Sequence, residues 1–462
     1  MLAAGRPVSA EQGVPATCPP RRLRDGVESA SQPPGISLCS LPSGSGERSS
    51  TLTEPRHREH YGVPRLTAEG ELRSVCFLLL YQISSGRSEQ RERRDVSTKE
   101  EDTSGVREFQ QGEFRYMLSR VPIISREHMY LHCPVTKAAS TFWTRFLLAL
   151  NGSGHTSSPF AIPLKKSNRK QVASLLDVYP MASRIGFISS ATKVVFVRDP
   201  YSRMFSAYVD KVFAPNPYYW RSWGKRAISK FRENTQGAAS KCGSDVTFAE
   251  VMAFAASGMF KSDIHFHSVF RECQPCAFHY DFVGKMETFA QDIQLLVNKL
   301  QLPNSAYFSS QQFRDDFTKD AIEDSINSPW EWLREVRACM TMAEAGKRVW
   351  RKLQIRGIIS RRIAFPFRDD EAESLTAETF IHVALAAHRQ STDKEELRRQ
   401  KREAMVEAFQ SVDSKTLNSL RNIFARDFEL FDYEPSPADL LDRTNRSVHT
   451  GAFRWDEEWK ED

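Results

Sequence analysis

Along the first hundred or so residues the apolar positions are scattered, and from "EHMYLHCPV" (127–135) onward they fall into a regular alternation. Short runs rich in β-branched and aromatic residues alternate there with segments of helical periodicity, the pattern of parallel βαβ units and an α/β fold. Three such units stand out. A strand near 128–135 feeds a helix from about 140; "KVVFVR" (193–198) is followed by a helix through "SRMFSAYVDKVF"; "YDFVGKME" (280–287) is followed by the helical "TFAQDIQLLVNKL". Between about 304 and 411 a charged, helix-prone stretch reads as inserted helices with solvated faces, to which no chemistry is assigned. A closing helix, "SKTLNSLRNIFARDFELFDY", sets Leu417, Leu420, Phe424 and Phe428 on one apolar face that is expected to pack on the core. There is no internal repeat.

Residues 1–108 are rich in Ser, Pro, Gly, Arg and Glu and end in the charged run "GRSEQRERRDVSTKEEDTSGVRE". This composition buries too little apolar surface to order itself, so the region is expected to be mostly disordered. The chain then divides into that region, a folded domain over 109–436 that carries the insertion at 304–411, and a C-terminal tail over 437–462. With 462 residues, 40% of them hydrophobic, the chain is long enough to bury a sizeable core. The net charge of +6 suits an anionic ligand or polymer. The longest apolar run, "VCFLLLYQI" (75–83), is too short to span a bilayer, and the N-terminus lacks the apolar core of a signal peptide, so no membrane anchor is visible. Among the eight cysteines, Cys273 and Cys276 form a C-x-x-C without a second pair at zinc spacing, which favours a structural disulfide or plain thiols over a metal site.

Chemistry concentrates at two strand-to-helix turns. In "HCPVTKAASTFW", Lys137, Ser140 and Thr141 sit where the first amides of a helix are unpaired and its dipole is positive, a cradle for phosphate or sulfate. The glycines of a nucleotide phosphate loop are absent, and an ordinary helix start with Ser140 as N-cap and Lys137 in solvent is the alternative. In "KVVFVRDPYSRMFSAY" the strand ends at Arg198, Asp199-Pro200 breaks it, and the helix that begins there presents Arg203 and Ser206 in its first turns. A guanidinium beside a hydroxyl at the carboxyl end of a parallel strand suits a terminal phosphate. The alternative is a structural ion pair at Arg198 with Ser206 merely packed.

"VTKAASTFW" resembles the 5′-phosphosulfate loop, and "FVRDPYSRMFSAY" the 3′-phosphate motif, of the Golgi carbohydrate sulfotransferases, in the branch that holds the chondroitin, dermatan and GalNAc 4-sulfotransferases. The likeness continues through "CGSDVTFAEV", "CQPCAFHYDFVGKMET" and "DFELFDY", covering about 120–300 and again 411–433. It implies a P-loop-like sulfotransferase fold with a central parallel sheet flanked by helices. It also implies the donor 3′-phosphoadenosine 5′-phosphosulfate (PAPS), with Lys137, Ala139, Ser140, Thr141 and Trp143 around the 5′-phosphosulfate, Arg198 and Ser206 at the 3′-phosphate, and no metal. The acceptor implied is an anionic or GalNAc-bearing glycan rather than a nucleic acid. The location implied is the Golgi lumen with membrane association, where the sequons at Asn151 and Asn445 would acquire meaning. The insertion is longer than the family leads one to expect.

Sulfuryl transfer asks a protein to align nucleophile and leaving group and to neutralise growing charge, a task for Lys137 at the bridging oxygen. The acceptor hydroxyl needs a base, and His265 in "KSDIHFHSVFREC" is the candidate, with Asp263 and His267 as competitors. The family tends to place a His-aromatic pair shortly before its C-x-P-C; here the aromatic is Phe266 where Trp is expected. Basic residues in "YYWRSWGKRAISKFR" (218–232), interleaved with Tyr219, Trp220 and Trp223, are read as an acidic-glycan groove or else as a solvated face over core aromatics. A nucleotide-kinase-like phosphotransferase is disfavoured by the missing loop glycines, and a catalytically inactive nucleotide- or glycan-binding relative is the remaining rival.

Overall fold

Thr192–Val197 (TKVVFV) is a strand because three of its residues are β-branched valines that pack well on a pleated surface, and Asp199-Pro200 ends it. The computed structural model describes residues 123–152, 158–164, 180–233, 242–259, 263–302, 304–441, 450–457 and 459. The region read as disordered, the apolar run at 75–83 and the sequon at Asn445 lie outside them. In chain order the elements used below are β1 (Ile123–Ser125), β2 (Tyr130–Cys133), α1 (Ser140–Leu150), α2 (Met181–Ser190), β3 (Thr192–Val197) and α3 (Pro200–Tyr208). They continue with α4 (Lys225–Phe231), α5 (Phe248–Ala256), β4 (Phe282–Lys285), α6 (Phe289–Lys299), α7 (Gln311–Trp330), α8 (Met342–Ile355), α9 (Ala377–Gln390), α10 (Lys394–Gln410), α11 (Ser414–Ile423) and α12 (Ala425–Leu430).

The sheet order is β1-β2-β3-β4, with β2, β3 and β4 parallel and β1 antiparallel at the edge. Both faces are covered, as parallel sheets require. Val194 and Phe196 pack with Phe142, Phe146 and Leu147 of α1 and Ile293 and Leu296 of α6, whereas Val195 and Val197 pack with Phe187 and Ile188 of α2. Gly284 of β4 lies opposite Phe196, whose ring occupies the space above it: a Cβ there would meet the ring at 2.4 Å.

The closing helix is two helices, α11 and α12, broken at Phe424, yet Leu417, Leu420, Phe424 and Phe428 all enter one core with α3, α5 and α10. The charged stretch 304–411 forms α7 to α10 together with shorter helices. It builds a core of its own around Ile326, Val349, Trp350 and Phe380, and gives Ile355, Met405 and Phe409 to the core beside α3. Residues read as a tail also reach that core through Leu440, Ala452 and Trp459. Cys273 pairs with Cys133 rather than with its C-x-x-C neighbour, Cys276 is itself disulfide-bonded, and Cys242 pairs with Cys339. Asn151 of the first sequon donates its amide nitrogen to the Ile124 carbonyl at 3.1 Å. No helix of the described residues is long and apolar enough to cross a membrane.

Candidate active site

The turn from β2 to α1 carries two left-handed residues without being glycine-rich, Lys137 at φ 64° and Ala139 at φ 58°. Such conformations cost about 1 kcal/mol or more per non-glycine residue and persist where surrounding structure enforces them. Ala139, not Ser140, is the N-cap of α1, and it offers no side-chain cap. The leading amides of α1 therefore point out of the turn without an intrahelical acceptor, and Ser140 and Thr141 stand in its first turn. Trp143 faces the other way: its side chain is fully buried against His132 and Phe196, and its amide donates to Ala139. Its side chain thus lies beneath the loop, in the core.

The Lys137 ammonium does not point into solvent. Its Nζ lies 2.7 Å from Asp210 Oδ2, Lys352 Nζ lies 2.7 Å from Oδ1 of the same carboxylate, and Lys211 Nζ lies 3.1 Å away. Asp210 sits just past α3, where the helix widens into a π-turn over Val209–Phe213 closed by Ala214 N–H to Val209 O at 3.1 Å. Burial pushes the Asp210 carboxyl up, but Lys137, Lys211 and Lys352 outweigh it and hold the group well below the usual carboxylate range. Burial, reinforced by Lys211 and Arg356 and opposed by Asp210, pulls Lys137 down to about 8. Asp210 is four residues beyond Ser206, a same-face spacing that the sequence displays. Lys352 comes from the segment to which no chemistry was assigned, and a lysine within a charged helix carries no signal that its ammonium is buried.

The second turn abuts the first. Arg198 donates Nη1–H to the Lys137 carbonyl at 3.2 Å and forms no ion pair among the described residues. Asp199 caps α3 by accepting the Ser202 amide at 2.7 Å, Pro200 fills the first helical position, and the Asp199 amide donates to Glu287 at 3.1 Å. Half-buried Ser206 lies two turns along, its hydroxyl donating to no other described residue. Arg203 instead turns inward, buried, and donates to the His267 carbonyl.

His265 reaches the same cleft through two ties between its segment and the end of β2: the Cys133–Cys273 disulfide, and Thr136 Oγ1–H donating to the Ile264 carbonyl at 2.9 Å. Its Nδ1 lies 2.8 Å from Asp263 Oδ1, which fixes the tautomer with Nδ1 protonated and leaves Nε2 as an acceptor. Burial lowers its pKa, Asp263 raises it, and Lys211 and Lys137 lower it again, leaving it below the ordinary 6.5 and the ring neutral at neutral pH. Asp263 also accepts Trp223 Nε1–H at 2.7 Å, so it orients the imidazole. His267 is held by Glu272 and its carbonyl by Arg203, away from this role. Phe266 is buried against Trp223.

In the 218–232 segment, Trp220 and Trp223 are core residues and present no face to a sugar, while Arg221, Lys225 and Arg226 are exposed. The accessible aromatics of the segment are Tyr218, Tyr219 and Phe231, and Tyr219 stands edge-on to His265 with Lys211 over its ring.

Residues 122–338 match the sulfotransferase family. Over 218 residues the chain is 34% identical to carbohydrate sulfotransferase 9 of Homo sapiens, covering 46% of this chain and 47% of that protein. It is 32% identical to carbohydrate sulfotransferase 8 of Homo sapiens over 209 residues, covering 44% and 47%. Against carbohydrate sulfotransferase 11 of Mus musculus it is 29% identical over 211 residues, covering 44% and 60%. The chain thus spans about half the length of the curated relatives it matches, and no solved structure matches it. The two cation-bearing turns fall inside the matched segment, so over residues 122–338 this chain is similar to the sulfotransferase family and to the carbohydrate sulfotransferases.

Proposed function

We propose that this protein transfers a sulfuryl group from PAPS to a sugar hydroxyl of a chondroitin/dermatan-like or GalNAc-bearing glycan. The observation that carries the reading is that Lys137, Arg198 and His265 are held near one another beyond the carboxyl ends of β2 and β3. The residues fit such a donor: an uncapped helix start and Lys137 suit its 5′-phosphosulfate, and Arg198 with the unengaged Ser206 hydroxyl suits its 3′-phosphate. The donor supplies a sulfuryl group attached through oxygen to a phosphate leaving group. His265 Nε2 takes the proton of the acceptor hydroxyl, whose oxygen bonds to sulfur as the bridging sulfur–oxygen bond breaks. The electron pair of that bond stays on the phosphate oxygen, where Lys137 stabilises the growing charge more in the transition state than before it. The two disulfides described above support a location in an oxidising secretory lumen.

Incubation with ³⁵S-labelled donor and a panel of desulfated glycans tests the reading. Label is expected in a GalNAc-containing glycan. Binding of 3′-phosphoadenosine 5′-phosphate without label transfer to any member would leave a binding protein in place of an enzyme, and dependence on ATP would point to a kinase.

A further inference from the structure

We propose that Lys401 of α10 and Arg356 at the end of α8 form, with Arg198, the pocket that grips the 3′-phosphate of the donor, so that the helical segment 304–411 supplies a wall of the nucleotide site; this rests on the sulfuryl-transfer reading above. Three contacts bring the groups together. Ser202, in the first turn after Arg198, reaches Met405 of α10 at 3.8 Å between its hydroxyl and the sulfur. Lys401 lies four residues before Met405 and so on the same face, one turn nearer the start of α10. Gly357, directly after Arg356, has a left-handed backbone at φ +68°, and a Cβ built there would lie 3.6 Å from Lys401 Cβ and 2.6 Å from the Leu397 carbonyl oxygen. The Arg356-Gly357 turn is therefore pressed against α10 at the position of Lys401.

The charges are unbalanced in a way that calls for an anion. None of Arg198, Arg356 and Lys401 forms an ion pair among the described residues. Arg198 donates to a carbonyl, Arg356 donates to Ser325 Oγ at 2.9 Å and to the Ala321 carbonyl at 3.4 Å, and Lys401 makes no hydrogen bond among the described residues. Glu287 is the carboxylate that faces Arg198 and Lys401, and its oxygens accept from the Asp199 amide at 3.1 Å and the Tyr433 hydroxyl at 3.0 Å. The Asp199 carboxylate, also near Arg198, is occupied by the Ser202 amide. Lys401 is exposed, and surrounding protein, then Arg198 and Arg356, lower its pKa to about 8. Three cations facing only Glu287 and Asp199, whose oxygens are engaged elsewhere, still repel one another, and a doubly charged phosphate relieves that repulsion.

The test compares 3′-phosphoadenosine 5′-phosphate with adenosine 5′-phosphate, which lacks only the 3′-phosphate, by calorimetric titration of the full chain. The wild type is expected to prefer the former, Lys401→Gln to lose about tenfold of that preference, and affinity for adenosine 5′-phosphate to stay within about twofold. Because Lys401 has no ion-pair or hydrogen-bond partner among the described residues, an unchanged melting temperature is expected, and Lys401→Arg should restore the preference. A Lys401→Gln protein with undiminished preference, or one that weakens for both nucleotides alike, overturns the assignment while leaving the donor reading standing. A wild type indifferent to the 3′-phosphate overturns both.

Discussion

Lys137 holds φ 64° and still places its ammonium 2.7 Å from Asp210, so one residue shapes the loop and points its charge. Lys137→Ala is expected to depress turnover more than about a hundredfold, since one charge-stabilising group is commonly worth on the order of 3 kcal/mol in the transition state. Donor affinity, read by calorimetry, should fall less. Arg198→Ala should show the opposite balance, with loss of affinity for 3′-phosphoadenosine 5′-phosphate larger than loss of turnover at saturating donor. On the proposed mechanism the pH dependence of kcat/KM follows from two titrating groups, Lys137 and His265. Lys137 must be charged and its pKa is about 8, so the rate should fall as pH rises through that value. His265 must be neutral and its pKa lies below the ordinary one, so the acidic limb should lie below about 6.5. His265→Ala should cost about 10²–10⁴ in turnover and flatten that limb, whereas His267→Ala should leave the limb in place. Asp263→Asn removes what raises the imidazole pKa, so it should shift the acidic limb to lower pH while slowing turnover. A limb that stays put in Asp263→Asn would separate Asp263 from the base.

At the scale of elements, Gly284 shows how one missing side chain lets two strands and a helix layer close. Gly284→Ala drives a Cβ into the Phe196 ring, and the ring has Trp143 and Phe289 behind it, so the core cannot yield freely. A loss of about 1–3 kcal/mol is expected, visible as a lower melting temperature, and Phe196→Leu in the same chain should recover part of it. The strands and the helices after them were legible because each is a local pattern: a β-branched run, a breaker, then period 3.6. The loop backbone was not, because glycine is the residue that advertises positive φ and here lysine and alanine adopt it. Nor was the fate of Trp220 and Trp223, since interleaved basic and aromatic residues look alike whether the aromatics turn outward or, as here, inward around a widened helical turn.

Across the whole molecule, distance in sequence hid the rest of the site. His265 stands 128 residues from Lys137 and is fixed near it by a disulfide and a threonine hydroxyl, features that no spacing rule relates. The charged segment 304–411 read as solvated because its sequence is polar, yet its ammonium at Lys352 is 1% exposed and its partner is the carboxylate that also holds Lys137. That sharing has a consequence for catalysis. On the proposed mechanism Lys137 leaves Asp210 to follow charge onto the leaving group, and it leaves more readily while Lys352 and Lys211 keep Asp210 neutralised. Lys352→Met takes away one of those counter-charges, so Asp210 should grip Lys137 harder and turnover should fall although Lys137 itself is untouched. Removing a buried partner of Asp210 also costs stability, though Lys137 and Lys211 still face the carboxylate, so the single variant is expected to melt at lower temperature. The double variant Lys352→Met with Asp210→Asn separates the two effects. Without the carboxylate there is no competitor for Lys137, so donor turnover should recover relative to Lys352→Met, although Lys137 and Lys211 then lose their counter-charge. A double variant whose turnover stays at the level of Lys352→Met would confine Lys352 to a structural part.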